Sequence, residues 1–409
     1  MSKRIAIIGA GTGGLHLGLY LQQQGVDTTI FTDKRAEEYK DSRLPNTVAH
    51  FAVTLANENQ LGVNHWQAGE VGYFGHNYYI GGPEPLEFYG DLHAPSRAVD
   101  YRIYLPTLMN DYVERGGDLQ IRRIEPDDFK ELAKDYDLIV VSTGKGTGGM
   151  FKKNEELSPY TEPQRRLCVG IFKGIKQRPT RAVTMYFSPG AGEMIEIPTL
   201  TFNGLQNALV FDNIKGGDLE ILVDTKYDDD PAAFKQLMLE KLEKHYPAIM
   251  ERIDRDEFDL ANSSLDILQG QLVPGVRESW VRVDDNTLAI ALGDVLTTVD
   301  PLLGQGANSA SNQAMILGDE IVKNSVFDER FVEHVDNRRL NRVHSASRWT
   351  NFMMDSLATF PPEFAQFIGA LSQSTHLADE FTDNFNYPDR QWDTFSSPQR
   401  IGAFVTKEA

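Results

Sequence analysis

The run Arg4-Ile5-Ala6-Ile7-Ile8-Gly9-Ala10-Gly11-Thr12-Gly13-Gly14 decides the fold. Its first five residues read as a short buried strand. The glycines that follow spell G-x-G-x-x-G, directly ahead of an apolar helical pattern at Leu15, Leu17, Leu19 and Leu21. In that setting Gly9 permits a tight turn, Gly11 lets backbone approach a pyrophosphate, and Gly14 allows close helix-on-strand packing. Thr12 and Gly13 open the helix, whose free amides face the phosphates. Gln22-Gln23-Gln24-Gly25 ends the helix and Asp27 to Phe31 gives a second strand, which completes the βαβ context. An acidic residue is expected at the end of that strand to hold a ribose. The register places Thr32 there, with Asp33 next, and two readings stand: Asp33 reaches the ribose from one position on, or it is a solvated loop carboxylate.

Outward from this unit, 409 residues at roughly 100–200 per domain imply two or three domains. With 41% apolar and 24% charged residues, the composition is that of a soluble globular protein. The balance of 40 Lys and Arg against 59 Asp and Glu gives a formal charge of −19, which repels phosphate backbones and argues against a nucleic-acid partner. A single cysteine, Cys168, can form neither an intrachain disulfide nor a thiolate zinc cage, and no metal is expected. It sits in an apolar run and reads as an inert buried residue. No run approaches 18 apolar residues, so no membrane helix is expected. The fingerprint follows so closely on Met1 that signal cleavage would destroy it, and the expected location is the cytoplasm.

The nucleotide domain returns as apolar strands at Tyr136 to Gly144 and, far downstream, at Thr287 to Asp294. Between them, alternation at Arg181–Phe187, Met194–Thr201, Ala208–Phe211 and Leu219–Val223 predicts a mostly antiparallel sheet. Helical spacing appears at Ala232–Lys244 and from about Asp328 to the region of Trp349, whereas the tail from Glu380 to Arg400 has few periodic cues. The expected architecture is α/β. A Rossmann-like FAD-binding domain (1–75, 97–165 and 287–325) is interrupted by a substrate domain (76–96 and 166–286) and followed by a helical region (326–409).

A second signature supports the flavin. Gly293-Asp294 precedes Pro301-Leu302-Leu303-Gly304-Gln305-Gly306-Ala307-Asn308, and a helix is expected from about Ser309 to Lys323. Such a strand exit places a carboxylate near a ribityl chain, and the glycine-rich turn aims amides and a helix N-terminus at an electron-rich ring edge. A pyridine dinucleotide does not need this second site. A flavin, whose reactive ring lies far from its adenine, does.

With both signatures in place, the sequence resembles the flavoprotein aromatic monooxygenases. Arg102, in Arg102-Ile103-Tyr104-Leu105, stands where that group carries an arginine near the flavin. The group's Asp-Gly element at the third strand, which serves both FAD and NAD(P)H, is replaced here by Ser142-Thr143-Gly144-Lys145, so the resemblance implies that FAD is reduced elsewhere. A closer resemblance, over nearly the whole chain, is to the epoxidase component of the two-component styrene monooxygenases, within the indole/styrene monooxygenase family. It is carried by Leu44 to His50, Gly72 to His76, Ala94 to Arg102, Cys168 to Ile175 and Asp383 to Pro388. That resemblance implies a homodimeric epoxidase of small aromatic alkenes. Molecular oxygen is the oxidant, and a separate NADH-dependent flavin reductase supplies reduced FAD as a diffusible co-substrate. Asn46, Val48, His50, Tyr73, His76 and Ser96 match the styrene-type rather than the indole-type pattern.

In such an enzyme an FAD C4a-hydroperoxide delivers oxygen to the vinyl group, and the protein excludes water, holds the alkene and stabilises developing charge. No Gly-x-Ser-x-Gly elbow or metalloprotease histidine pair is present, and none is required. The expected catalytic lining is Asn46 with Pro301, Gly304, Gln305 and Gly306. Leu303, Val210 and Phe211 join Asn46, Val48, His50, Tyr73, His76 and Ser96 as expected substrate contacts, and Gly9, Gly11, Thr12, Gly13, Gly14, Thr32 and Asp33 are expected to hold the cofactor. Gly144, Gly293, Asp294, Ala307, Asn308, Arg102 and Arg43 are the further cofactor contacts. For several of these a plainer role stands beside the functional one: a turn residue for Asn46, a surface arginine for Arg43, satisfied core histidines for His50 and His76, a core aromatic for Tyr73. Since reduced FAD is an anion and the chain is acidic, a local basic funnel from Arg43, Arg97 and Arg102 is expected. The rival readings are an indole monooxygenase of the same architecture, a single-component NAD(P)H hydroxylase, a flavin-dependent halogenase, and a flavin-binding carrier without activity.

Overall fold

The computed structural model describes residues 3–144 and 149–407. Lys145 lies outside the described residues.

A six-stranded sheet runs in the order Trp280–Arg282, Leu288–Ala291, Leu138–Val141, Arg4–Ile8, Asp27–Thr32, Asp118–Ile121. All neighbours are parallel except the Trp280–Arg282 edge. Ile5 to Ile8, Leu138 to Val141 and Leu288 to Ala291 are buried throughout, because a parallel sheet is covered on both faces. This explains why these strands read as continuous apolar runs rather than alternating ones. Helices Thr12–Gln23 and Gln305–Lys323 cover one face together with Tyr101–Glu114. Phe129, Leu132, Phe151 and Val343 close the other.

Gly14 sets how close the first helix comes to the sheet. A Cβ built there collides with the carbonyl oxygen of Gly9, so no larger residue fits at that crossing.

The second sheet has nine strands. Its path is Asp259–Leu260, Arg165–Lys173, Gly204–Ile214, Gly192–Thr201, Val183–Ser188, Tyr73–Ile80, Leu86–Val99 and Ala49–His50, with Ile267–Gln271 also on Arg165–Lys173. Pairing is mostly antiparallel; Tyr73–Ile80 with Val183–Ser188, and Leu86–Val99 with Gly192–Thr201, run parallel. The α/β class and the mostly antiparallel second sheet are as the sequence predicts.

Local differences have identifiable causes. Leu219–Val223 is not a strand: Asp218–Glu220 and Ile221–Asp224 form successive helical turns, and the buried Leu219, Leu222 and Val223 stand three and four apart, which is helical spacing. The helix expected from Ser309 begins at Gln305, so Gly306, Ala307 and Asn308 form its first turn. Gly304, with φ +62°, reverses the chain in one residue and lets the helix start early. The helix expected to end near Trp349 runs from Glu329 to Thr359. The tail without periodic cues is helical at Thr375–Asp383, Pro388–Phe395 and Pro398–Val405, the last two opened by a first-turn proline. Among the described residues no helix is long and apolar enough to cross a membrane.

Replacing Gly14 with Ala is expected to lower the melting temperature of the cofactor-free chain, with a loss of at least about 1–3 kcal/mol from overpacking. Gly11→Ala, where an added Cβ meets nothing within 4 Å, should leave that melting temperature unchanged and weaken FAD binding instead.

Candidate functional site

A cleft of about 730 Å³ opens between the two sheets. Its floor is the fingerprint, Gly9 to Gly13, with Ser142 to Gly144 from the neighbouring strand exit and Thr32 and Asp33 at one end. Gly293, Asp294, Pro301, Gly304, Gly306 and Ala307 form a second wall, and Pro45 to Val48, including Asn46, a third.

Two helix N-termini converge here. Thr12–Gln23 and Gln305–Lys323 both start without a side-chain cap, so their first-turn amides carry partial positive charge toward the cleft. The open space beyond Gly11 and these two uncapped ends suit a long ligand that is anionic at its centre and electron-rich at one end. The residues therefore fit FAD.

The remaining wall is apolar. Val210, Val169 and Leu268 are paired in register across three adjacent strands, and Leu167, Leu272 and Val299 extend the patch. Only Val210 was singled out from sequence; Val169 and Leu167 carry the same inward phase along their strand, a signal that alternation alone could have given. Phe211, expected to share the wall, is one residue out of phase and points to the opposite core, with its ring 6.1 Å from Tyr246.

Several other expected contacts lie behind the cleft rather than in its lining. Asn308 spends its side chain on the protein: Oδ1 accepts from Phe51 N (2.9 Å) and Thr54 Oγ1 (2.7 Å), and Nδ2 donates to Ala49 O (2.9 Å) and Gly304 O (2.8 Å). Gln305 donates to Leu303 O and to Phe385 O, and Leu303 is a core residue. Gly14 packs against the strand, away from the lining. Tyr73, His76 and Ser96 form a buried layer one step deeper. Tyr73 pairs with Ser96 across strands, and His76 stands edge-on to Phe385, whose ring centroid lies 4.6 Å away.

His50 belongs to a buried polar chain. Its Nε2 is hydrogen-bonded to Tyr101 Oη (2.8 Å), which also meets Thr12 Oγ1 (2.7 Å), and its Nδ1 lies 2.7 Å from Glu58 Oε1. Glu58 accepts from Tyr104 Oη (2.9 Å) and pairs with Arg97; Tyr104 Oη meets His16 Nε2, and His16 Nδ1 meets Ser311 Oγ. Tyr101 and Thr12 line the cleft. His50 is thus joined to the cleft through Tyr101 and is not itself part of the lining.

The three arginines of the expected funnel are all engaged elsewhere. Arg97 is buried against Glu58. Arg102 binds Asp100 and Asp266 (2.6 Å each), and Arg43 binds Asp228 (2.8 Å) and the carbonyls of Ser264 and Ile267. Arg43 and Arg102 therefore brace the segment 264–267 against the first domain; the buried Asp100 and Asp266 hold Arg102, and the exposed Asp228 holds Arg43, away from the cleft. Among the described residues the cations in the lining are Arg122 and Arg123, which pair with Asp128 (2.8 Å) and Glu125 (2.6 Å).

Two proteins named styrene monooxygenase StyA, from Pseudomonas sp and Pseudomonas fluorescens, are each 59% identical to this chain over 410 residues, covering 100% of it and 99% of their own length. The chain belongs to the styrene monooxygenase family. Residues 144–252, the core of the second sheet, match a family model described as "Styrene monooxygenase A putative substrate binding domain". The fold is shared more widely. The flavin-dependent brominase Bmp2 matches with a TM-score of 0.70 at 14% identity, over 98% of this chain and 97% of its own. A flavoprotein/dehydrogenase from Cytophaga hutchinsonii matches at 0.65 and 14%, over 99% and 96%.

Burial holds His16 down at about 4 and His76 at about 3, so both rings are neutral at ordinary pH. In the unfolded chain they titrate near 6.5. Below about pH 6.5 the unfolded state therefore binds protons that the folded state refuses. Stability should fall as pH drops from there toward 4, by up to ~1.4 kcal/mol per pH unit for each ring. Thermal melting across that range measures the effect. His16→Gln should make the acid slope shallower, and an unchanged slope contradicts the assignment.

Proposed function

We propose that this chain is the oxygenase component of a two-component styrene monooxygenase, converting the vinyl group of styrene to styrene oxide with FAD and molecular oxygen. What carries this reading, within the family, is the meeting of two uncapped helix ends with one apolar wall in a single cleft. Reduced FAD, when bound, supplies the oxygen-activating chemistry. Gly9, Gly11, Thr12 and Gly13 hold its pyrophosphate, Thr32 or Asp33 its ribose, and Gly144, Gly293 and Asp294 its linking chain. Pro301, Gly304, Gly306 and Ala307 face its ring.

The protein's own share is positioning. Val210, Val169 and Leu268 exclude water and receive the hydrocarbon, where an unpaired polar group would oppose its burial. Asn46 and Val48 close the cleft from the opposite side. Leu303 anchors the turn from Pro301 to Gly304 in the core that also holds Tyr73 and Phe385, with His76 against Phe385 and Ser96 opposite Tyr73.

Reduced FAD arrives as a co-substrate from a separate NADH-dependent flavin reductase in the cytoplasm, and the oxygenase works as a homodimer. No metal takes part. The absent Asp-Gly element at the third strand supports the need for an outside reductant, and Arg122 and Arg123 are the cations placed to attract the anionic cofactor.

The deciding experiment is anaerobic photoreduction of FAD with the protein, mixing with aerated styrene, and chiral chromatography of the product. Styrene oxide is expected. Faster turnover of indole, with indigo, selects the sister activity, and rapid NADH oxidation by this chain alone would overturn the two-component assignment. In the same assay Asn46→Ala should raise hydrogen peroxide release per epoxide formed. Val169→Thr, which adds one hydroxyl to the apolar wall at constant shape, should raise the styrene KM about tenfold while leaving FAD affinity unchanged.

A further inference from the structure

Behind the Pro301 turn lies a group of buried charges that the reaction itself does not use. Asp212 follows Val210 by two residues on strand Gly204–Ile214, so its side chain emerges on the cleft side of the sheet. Asp300 immediately precedes Pro301, and its Oδ1 accepts from Leu302 N (3.1 Å), capping the turn that ends at Gly304. Both carboxyl groups are buried, and they lie against each other.

No N–H or O–H donor of the described residues reaches either oxygen of Asp212. Asp212 is paired across strands with Glu193. The nearby cation, Arg165, is committed to Glu193 through two bonds (2.9 and 3.1 Å) and to Met354 O through a third (2.9 Å). Ionised carboxylates only accept, so two of them in contact can be hydrogen-bonded only through a proton that one of them keeps.

We propose that Asp212 and Asp300 share one proton, and that this acid pair is the latch fixing the Pro301–Gly304 turn to the substrate sheet. The two aspartates are positioning residues: the proton stays on oxygen, and no other bond is made or broken. The inference rests on the reading of that turn as part of the FAD site.

Burial, reinforced by Asp300 and Glu193 and opposed by Arg165, holds the Asp212 acid well above the ordinary carboxyl range. The other titratable groups around the pair are Tyr246, which feels Glu193 and Asp212, and Tyr160, which feels Arg165 and Asp300 and is bonded to Asp355. Because the folded-state value is raised, the latch is fully present at acidic pH. It is lost as pH rises through the pair's own titration, when two carboxylates are left in contact.

The test uses the full chain without styrene. Infrared difference spectra of the cofactor-free protein should show a protonated carboxylic acid that Asp212→Asn abolishes. Affinity for oxidised FAD, read by flavin fluorescence, should fall on the alkaline side by up to about tenfold per pH unit in the native chain. In Asp212→Asn, whose amide donates permanently to Asp300, that fall should disappear. Asp212→Ala should bind FAD more weakly at every pH.

If Asp212→Asn does not fold, Asp300→Asn serves, since its amide oxygen still accepts from Leu302 N and its amide nitrogen donates to Asp212. The native chain alone gives a third reading, a melting temperature that falls as pH rises from the ordinary carboxyl range and levels off where the acid band bleaches. An Asn variant with the native alkaline slope, or a native chain without the acid band, sinks the latch. A chain that shows the latch and makes no styrene oxide would instead refute the proposed reaction.

Discussion

The four hydrogen bonds of Asn308 are the constraint from which the rest of the site follows. A single amide, in the first turn of helix Gln305–Lys323, satisfies Ala49 O, Phe51 N, Thr54 Oγ1 and Gly304 O. Those partners are the strand after the Asn46 loop, the start of helix Ala52–Leu61, and the turn that opens its own helix. One side chain thereby fixes the distance between two walls of the cleft. No smaller or purely accepting residue can do this, because two of the bonds need a donor and two an acceptor. Each partner left alone would be a buried, unpaired polar group costing about 1–3 kcal/mol.

A second organising fact is where the positive charge has gone. The chain carries a formal charge of −19, yet Arg97, Arg165 and Arg339 are buried. Each is matched to a carboxylate: Glu58, Glu193 and Asp336 respectively. Arg102, which the resemblance implied near the flavin, and Arg43, expected as a cofactor contact or a surface arginine, tie segment 264–267 to the nucleotide domain. Cations placed this way register one domain on the other. They contribute specificity of assembly more than net stability, since dehydrating both partners offsets most of their attraction.

The parts of the molecule legible in the sequence were those where backbone chemistry leaves a local mark. The fingerprint at Gly9 to Gly14 and the continuous apolar strands at Ile5, Leu138 and Leu288 have local causes, so composition and spacing reveal them. Leu219–Val223 was misread because five residues, four of them apolar, satisfy both periods. The placement of His50, Asn308 and the arginines was illegible for a different reason. Each is a polar residue with at least one partner far along the chain, 259 positions between Asn308 and Ala49, 164 between Arg102 and Asp266 and 51 between His50 and Tyr101. Nothing in the neighbouring sequence records which of several carboxylates or carbonyls a side chain will meet. Phe211 was a smaller error of phase, which the neighbouring Val210 could have corrected.

The order of the strands in the nucleotide sheet has a consequence for how the chain is made. Leu288–Ala291 pairs with Leu138–Val141, which lies beside Arg4–Ile8, so a sheet begun by the first residues gains this strand only after some 280 others have been synthesised. Helix Gln305–Lys323, which packs on Thr12–Gln23, comes later still. An unfinished chain on the ribosome therefore exposes the edge of a buried parallel strand, a surface that invites pairing with other chains. FAD cannot protect it, since half the walls of its cleft do not yet exist. The most vulnerable moment for this protein falls late in translation, and a chaperone that shields Leu138–Val141 until then should raise the yield of native enzyme more than added flavin does.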